Sequence, residues 1–266
     1  VVDRMERMVR LHRNHACIVF WSLGNEAGYG DNFKRMKEAA LRIDHTRPIH
    51  YEGDHVLDTS DVFSMMYATV GNVNKIGQKK AARVGLGEEP FMIGRKLAAS
   101  QYTGKPFIQC EYAHNGGNSL GNFREYIEAF ERYDNCIGGF VWVFADQSIL
   151  RRGKNGEKIW TYGGDFGDEP NSGNFCGNGI LAADRTPKPA LYEVKHGYQS
   201  IKTAPKDLPQ GIIEVSNDYR FRTLDWVNLE WELFEDGAVR QKGTVEDLCL
   251  EPGGAISVSL PYTLSE

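Results

Sequence analysis

The run Cys17-Ile-Val-Phe-Trp-Ser-Leu-Gly-Asn-Glu26 decides the fold. From Cys17 to Leu23 only Ser22 is polar, and His15 and Gly24 bound the stretch. A short apolar run without alternation predicts a strand covered on both faces, the pattern of a parallel sheet. It ends in a polar pair, Asn25-Glu26, where the strand passes into its loop.

Helical spacing flanks this strand on both sides. Met5, Met8, Val9 and His12 share one face of Asp3–His12, and Phe33, Met36, Ala40 and Leu41 repeat after Asp31, a plausible N-cap. Further strands are expected near 48–52, 62–67, 106–111 and 139–144, the last again buried, with a helix over Phe123, Tyr126, Ile127, Phe130 and Tyr133. Strand, loop and helix in repetition predict a parallel α/β layout. Neither G-x-G-x-x-G nor G-x-x-x-x-G-K-[ST] occurs, so nucleotide binding has no support. Asn25-Glu26, Glu52, Tyr67, Glu111 and Asp146 each end a strand-like run, which favours a (β/α)8 barrel with its site on the rim over an open sheet. Residues 150–200, rich in Gly, Asn and Asp, are expected as a long structured loop region.

After about residue 210 the pattern alternates, in Ile212-Ile-Glu-Val-Ser216 and Val227–Phe234, with a turn at Glu235-Asp236-Gly237. This is an antiparallel, immunoglobulin-like β-sandwich pattern. The expected domains are a catalytic barrel over 1–203 and a sandwich over 204–266. A barrel takes ~250 residues and such a sandwich ~100. Both ends are therefore expected to be cut, leaving a partial barrel whose strands form an arc, and residues 1–266 alone are expected to be inactive.

The 266 residues are 41% hydrophobic and 25% charged, a globular composition, and no apolar run approaches a membrane span. A net charge of −5, without a basic face, argues against nucleic-acid binding. Five cysteines at 17, 110, 136, 176 and 249, with no C-x-x-C, read as buried free thiols in a reducing compartment. The expected location is the cytoplasm, with the periplasm as the alternative. His12 and His15 have no third ligand nearby, which disfavours zinc.

Glu26 and Glu111, 85 positions apart, both stand at strand ends. Two carboxylates on one rim are what retaining glycoside hydrolysis needs, at ~5–5.5 Å from each other. Taken alone, each also reads as an ordinary exposed or ion-paired glutamate.

Longer strings add to this. Asn14-His15 through Trp21-Ser-Leu-Gly-Asn-Glu26, Cys110-Glu-Tyr-Ala-His114 with Gly117-Asn-Ser-Leu-Gly121, Gly138-Gly-Phe-Val-Trp142 with Asp146-Gln-Ser148, Tyr162-Gly-Gly-Asp-Phe-Gly-Asp168 and Ala183-Asp-Arg-Thr-Pro-Lys-Pro189 stand in order. Together they resemble the bacterial β-galactosidases of glycoside hydrolase family 2, over most of the chain. The resemblance implies Glu26 as acid/base and magnesium ligand, and Glu111 as nucleophile. It implies Asn25 on the sugar 2-hydroxyl, Tyr67 against the nucleophile, His114 on galactose and Trp142 as the floor of the sugar site. It implies a sodium site from the Phe175 backbone carbonyl and Asn178. Without it, Tyr67, His114 and Trp142 read as a strand-end tyrosine, a structural histidine and a core tryptophan. The implied substrate is a terminal β-D-galactoside such as lactose, and the full-length protein is expected to be a homo-oligomer. Two departures stand out. Val143-Phe144-Ala145 follows Trp142 where the family often carries an acidic and an aromatic residue, and the family's other magnesium and sugar ligands precede the residue matching Val1. The alternatives are another family 2 activity, β-glucuronidase or β-mannosidase, and an inactive or merely sugar-binding relative.

Overall fold

The computed structural model describes residues 1–86 and 93–264 and divides into two units, Val1–Gly197 and Tyr198–Glu266. The last two residues of the expected second domain lie outside the described residues.

The first unit opens with α1 (Val2–His12), whose Met5 and Val9 face the core, and whose Asp3 and Arg10 sit at the ends that suit their charges. β1 (Trp21–Ser22) leads to α2 (Asp31–Ile43) and β2 (Ile49–His50). Then come β3 (Phe63–Met66), α3 (Val70–Gly77, capped by the Thr69 hydroxyl), and the antiparallel pair β4 (Ala82–Leu86) and β5 (Ile93–Leu97). β6 (Phe107–Tyr112), α4 (Phe123–Arg132) and β7 (Cys136–Val141) follow. The unit closes with the hairpin β8 (Ile149–Arg152) and β9 (Lys158–Thr161), two 3-10 turns, and α5 (Pro189–Gly197).

The strands expected from the apolar runs are all parallel. β1 pairs with β2, and β6 lies between β3 and β7. Asp61 joins the two sets: its N–H donates to Ile49 O (2.8 Å) and its Oδ2 accepts from Ile49 N–H (2.9 Å). Beyond β7 the order continues, with Ala145 pairing in parallel with Leu181. These are five parallel strands and one isolated parallel bridge of the barrel domain. Phe63, Phe107, Val73, Ile76 and Ala129 form the core between β3, β6 and the helices α3 and α4. Each such large side chain, taken from water, contributes roughly 1.5–3 kcal/mol.

Several expectations are corrected. The strand at Cys17–Leu23 is regular only at Trp21–Ser22; Cys17 is exposed and Val19 is 59% exposed. β7 is likewise not covered on both faces, since Phe140 is 58% exposed. Apolar composition allowed two-sided burial there; cover on the second face is a matter of what packs against it. Gly30, not Asp31, is the N-cap of α2, and Asp31 stands in the first turn, where it acts on the helix dipole. The region 150–200 is not all loop. It holds the β8–β9 hairpin and α5, whose first residue is Pro189, a position where a missing N–H costs nothing. Of the cysteines, Cys136 is buried, Cys110 and Cys176 are half-buried, and Cys17 and Cys249 are exposed.

The second unit consists of β10 (Ile201–Asp207), β11 (Ile212–Asn217), β12 (Leu229–Glu235), β13 (Ala238–Val245) and β14 (Ala255–Ser259). Two antiparallel sheets, β10-β11-β14 and β12-β13, share a core of Val215, Leu224, Leu248, Leu250 and Val258, a partial β-sandwich. The expected turn joins β12 to β13: Asp236 and Gly237 both take positive φ (49° and 77°), the two-residue turn whose twist matches a hairpin.

Candidate active site

The site is built on strand ends that leave the regular path. Register slips by one residue on β6, where Met65 faces Gln109 but Met66 faces Glu111. A bulge of this kind re-aims the side chain beyond it. Three residues past strand ends, Glu26, Tyr67 and Ala113, hold φ of 48°, 51° and 50°. None is glycine, so each costs roughly 1–2 kcal/mol relative to ordinary backbone. Such strain persists only where the surroundings over-determine it.

Glu111 is buried, and Oε2 accepts the Tyr67 hydroxyl at 2.7 Å. Burial pushes its carboxyl above the ordinary range; the tyrosine opposes this, and the negative charge of Glu26 adds to it. Burial and the neighbouring carboxylate raise the Tyr67 phenol strongly, so it stays a donor. Tyr67 N–H also donates to Glu111 O (2.8 Å), which locks the two strand ends together.

Glu52, at the end of β2, is a third carboxylate. It is buried, and its Oε1 accepts the Glu26 N–H at 2.6 Å. Burial raises its carboxyl, with the charges of Glu26 and Glu111 adding. The sequence marked it as a strand-end acid but gave it no role. Glu52, Glu111 and Asn25 line one cavity of about 460 Å³, and Glu26 and Glu52 line a smaller one of about 180 Å³. Beneath them the His50 ring bridges Ser22 Oγ (3.0 Å) and Ser64 Oγ (2.8 Å), and burial lowers its pKa to about 4, so it is neutral. Burial likewise pushes the Cys110 thiol up to about 12.

A second group adjoins Tyr67. The His114 ring meets Tyr67 edge-on (5.9 Å) and stacks on Phe175 (4.9 Å), and its Nε2 lies 3.4 Å from Asn178 Nδ2. Trp142, Phe175 and Asn178 line a cavity of about 340 Å³. The loop that carries Asn178 is clamped. Lys188 Nζ donates to Asp146 Oδ1 (2.7 Å), Gly177 O (3.1 Å) and Gly179 O (3.0 Å), Gly179 N–H donates to the same Asp146 oxygen (2.7 Å), and Asn115 donates to Gly179 O. A Cβ on Gly179 would lie 2.1 Å from Asp146 N, so no side chain fits there. Asp146 and Lys188 stood within the quoted strings, but their partnership spans 42 positions and was not legible.

The two metal expectations rest on different donors. The Asn178 Oδ1 atom is buried with no hydrogen-bond partner among the described residues. An orphaned oxygen acceptor there fits a cation ligand. Glu26, the expected magnesium ligand, shares a cavity with the Glu52 carboxylate, and magnesium is commonly held by one or two carboxylates together with water.

Comparison with known proteins follows the same lines. The family model "Glycosyl hydrolases family 2, TIM barrel domain" matches residues 1–203, and "Beta-galactosidase, domain 4" matches residues 213–266. A β-galactosidase of Pectobacterium atrosepticum is 38% identical over 268 residues, covering 98% of this chain and 24% of its own length. One of Yersinia enterocolitica is 39% identical over 237 residues, covering 87% of this chain and 21% of its own. The chain thus spans about a quarter of the length of the curated relatives it matches. Among solved structures, a β-glucuronidase from Ruminococcus gnavus aligns with a TM-score of 0.45 at 17% identity, over 74% of this chain and 35% of that chain.

Proposed function

Because the chain belongs to the family 2 glycosyl hydrolases, we propose that the protein carrying it is a retaining β-galactosidase, with Glu111 as nucleophile and Glu26 as acid and base. The support is the Tyr67–Glu111 hydrogen bond together with the Glu26 charge felt at the same carboxyl. Tyr67 occupies Oε2 and so orients the other oxygen for attack at the anomeric carbon. As the Glu111 oxygen bonds to that carbon, the leaving oxygen departs with the Glu26 proton. Glu26, now ionised, takes a proton from water as water attacks, and the Glu111 carboxylate is released.

Asn25, on the wall of the Glu111 cavity, is assigned to the 2-hydroxyl, and His114 and Trp142 to the rest of the sugar. A sodium ion held by Asn178 and the Phe175 carbonyl would supply a fixed positive charge beside those hydroxyls. The substrate is a terminal β-D-galactoside such as lactose, and the full-length protein is a homo-oligomer. Free cysteines support the cytoplasm, and among the described residues no helix is long and apolar enough to cross a membrane.

The test uses the full-length protein and aryl β-galactosides, β-glucuronides and β-mannosides. Preference for galactosides is expected, and a 2-deoxy-2-fluoro-galactoside should label Glu111 covalently. Preference for either other sugar would refute the substrate, and label on Glu26 would reverse the roles.

A further inference from the structure

Glu26 needs support that its own sequence does not provide. It is exposed, its φ is 48°, and it sits in an exposed loop between β1 and α2. An acid that must deliver a proton within hydrogen-bond reach cannot be left to a strained, free turn. The end of β2 holds it. Glu26 N–H donates to Glu52 Oε1 (2.6 Å), Ala27 N–H donates to Tyr51 Oη (3.2 Å), and the Tyr51 hydroxyl donates to Gly28 O (2.5 Å). Three bonds from two adjacent residues therefore fix three consecutive residues of the turn.

The holders are themselves rigid. Tyr51 is 1% exposed and stacks on Phe33 of α2 at 4.2 Å. Its ring folds back over Gly53, where a Cβ would lie 2.6 Å from it, so glycine is required there. Glu52 is 6% exposed, and among the described residues no cation pairs with it. A buried carboxylate without a cation is expensive and is ordinarily replaced by something apolar. Here it stands between Glu26 and Glu111, lining the cavity of each.

Resting on the roles assigned above, we propose that Glu52, seconded by Tyr51, is a positioning residue for the acid/base: its carboxyl oxygen holds the Glu26 backbone in the left-handed turn that aims the Glu26 side chain at the leaving group. The hold is an acceptor's hold, so an amide serves in place of the acid.

The experiment measures kcat/KM in the full-length protein for lactose, which needs the proton, and for 2,4-dinitrophenyl β-galactoside, which does not. Glu52→Ala should lose roughly 100-fold on lactose and only a few-fold on the dinitrophenyl substrate, the scale of a lost general acid. Azide, which needs no base, should restore dinitrophenyl turnover. Glu52→Gln should recover most of the lactose activity, and Tyr51→Phe should show the same split in milder form. If Glu52→Ala does not fold, as judged by its thermal melt, the Gln and Phe variants carry the test. Equal losses on both substrates, no loss, or a Glu52→Gln as poor as Glu52→Ala would overturn the proposal. Glu26→Ala is the control. If it lacks the split, the assigned roles fail; if it shows the split and the Glu52 variants do not, only the positioning role fails.

Discussion

The two carboxylates at the centre of the site are held in opposite ways. Glu111 is fixed through its side chain, buried at a bulge with a tyrosine on one oxygen. Glu26 is fixed through its backbone and leaves its side chain exposed on a strained turn. The difference suits the proposed chemistry. A nucleophile acts from one place in one ionisation state, whereas an acid that becomes a base must exchange protons with substrate and water.

The contrast can be broken most sharply at the side chains. Glu111→Gln should reduce turnover of every galactoside by at least ~10⁴-fold, measured with both lactose and a dinitrophenyl substrate. Glu26→Gln should spare the first step of the activated substrate, and azide should then give a β-galactosyl azide; a β-azide from Glu111→Gln instead would exchange the two assignments.

A smaller effect is expected where the Asn178 loop is clamped. Lys188→Met removes the donor shared by Asp146 and two carbonyls; Asp146 keeps Gly179 N–H and Gly179 O keeps Asn115, so the cost is roughly 1–2 kcal/mol in all. A fall in Tm with a raised KM for galactosides is expected, and an unchanged KM would show that the loop does not serve the sugar.

Tyr67→Phe should act more gently and sharpen the electrostatic side of the comparison. The hydroxyl favours ionised Glu111 against the burial that disfavours it. Without it the carboxyl rises further, so the acid limb of kcat/KM should move to higher pH, with loss of activity appearing first at low pH. A limb that stays in place would mean that another group sets it.

Least in size is the effect at Asp44, which accepts from Trp21 Nε1 (3.0 Å), Thr46 N–H (2.8 Å) and Arg47 (2.5 Å) under the β1–β2 pair. The Thr46 hydroxyl, ahead of its backbone N–H, Arg47 and Trp21, holds the carboxyl far below the ordinary range against the cost of burial. A depressed folded-state value means stability present above the ordinary aspartate pKa and lost as pH falls below it. Asp44→Asn should therefore lower Tm at neutral pH by a few degrees, with the gap to the parent protein narrowing in acid.

By itself the sequence determined the strand–helix alternation, the change to antiparallel pattern after about residue 210, the hairpin turn at Asp236-Gly237, and the polar residues at strand ends. These follow from local periodicity and turn chemistry, which are written within a few neighbouring residues. Tertiary structure alone decided the rest. Val19 and Phe140 belong to apolar runs yet are exposed, because burial depends on what covers a face. The bulge before Glu111 and the left-handed backbone at Glu26, Tyr67 and Ala113 arise where strands from distant parts of the chain must share one rim. Glu52 was visible as a strand-end acid, but its hold on Glu26 crosses 26 positions, and Lys188 reaches Asp146 across 42. No local pattern encodes such partners, since they meet only when parallel strands set their ends side by side.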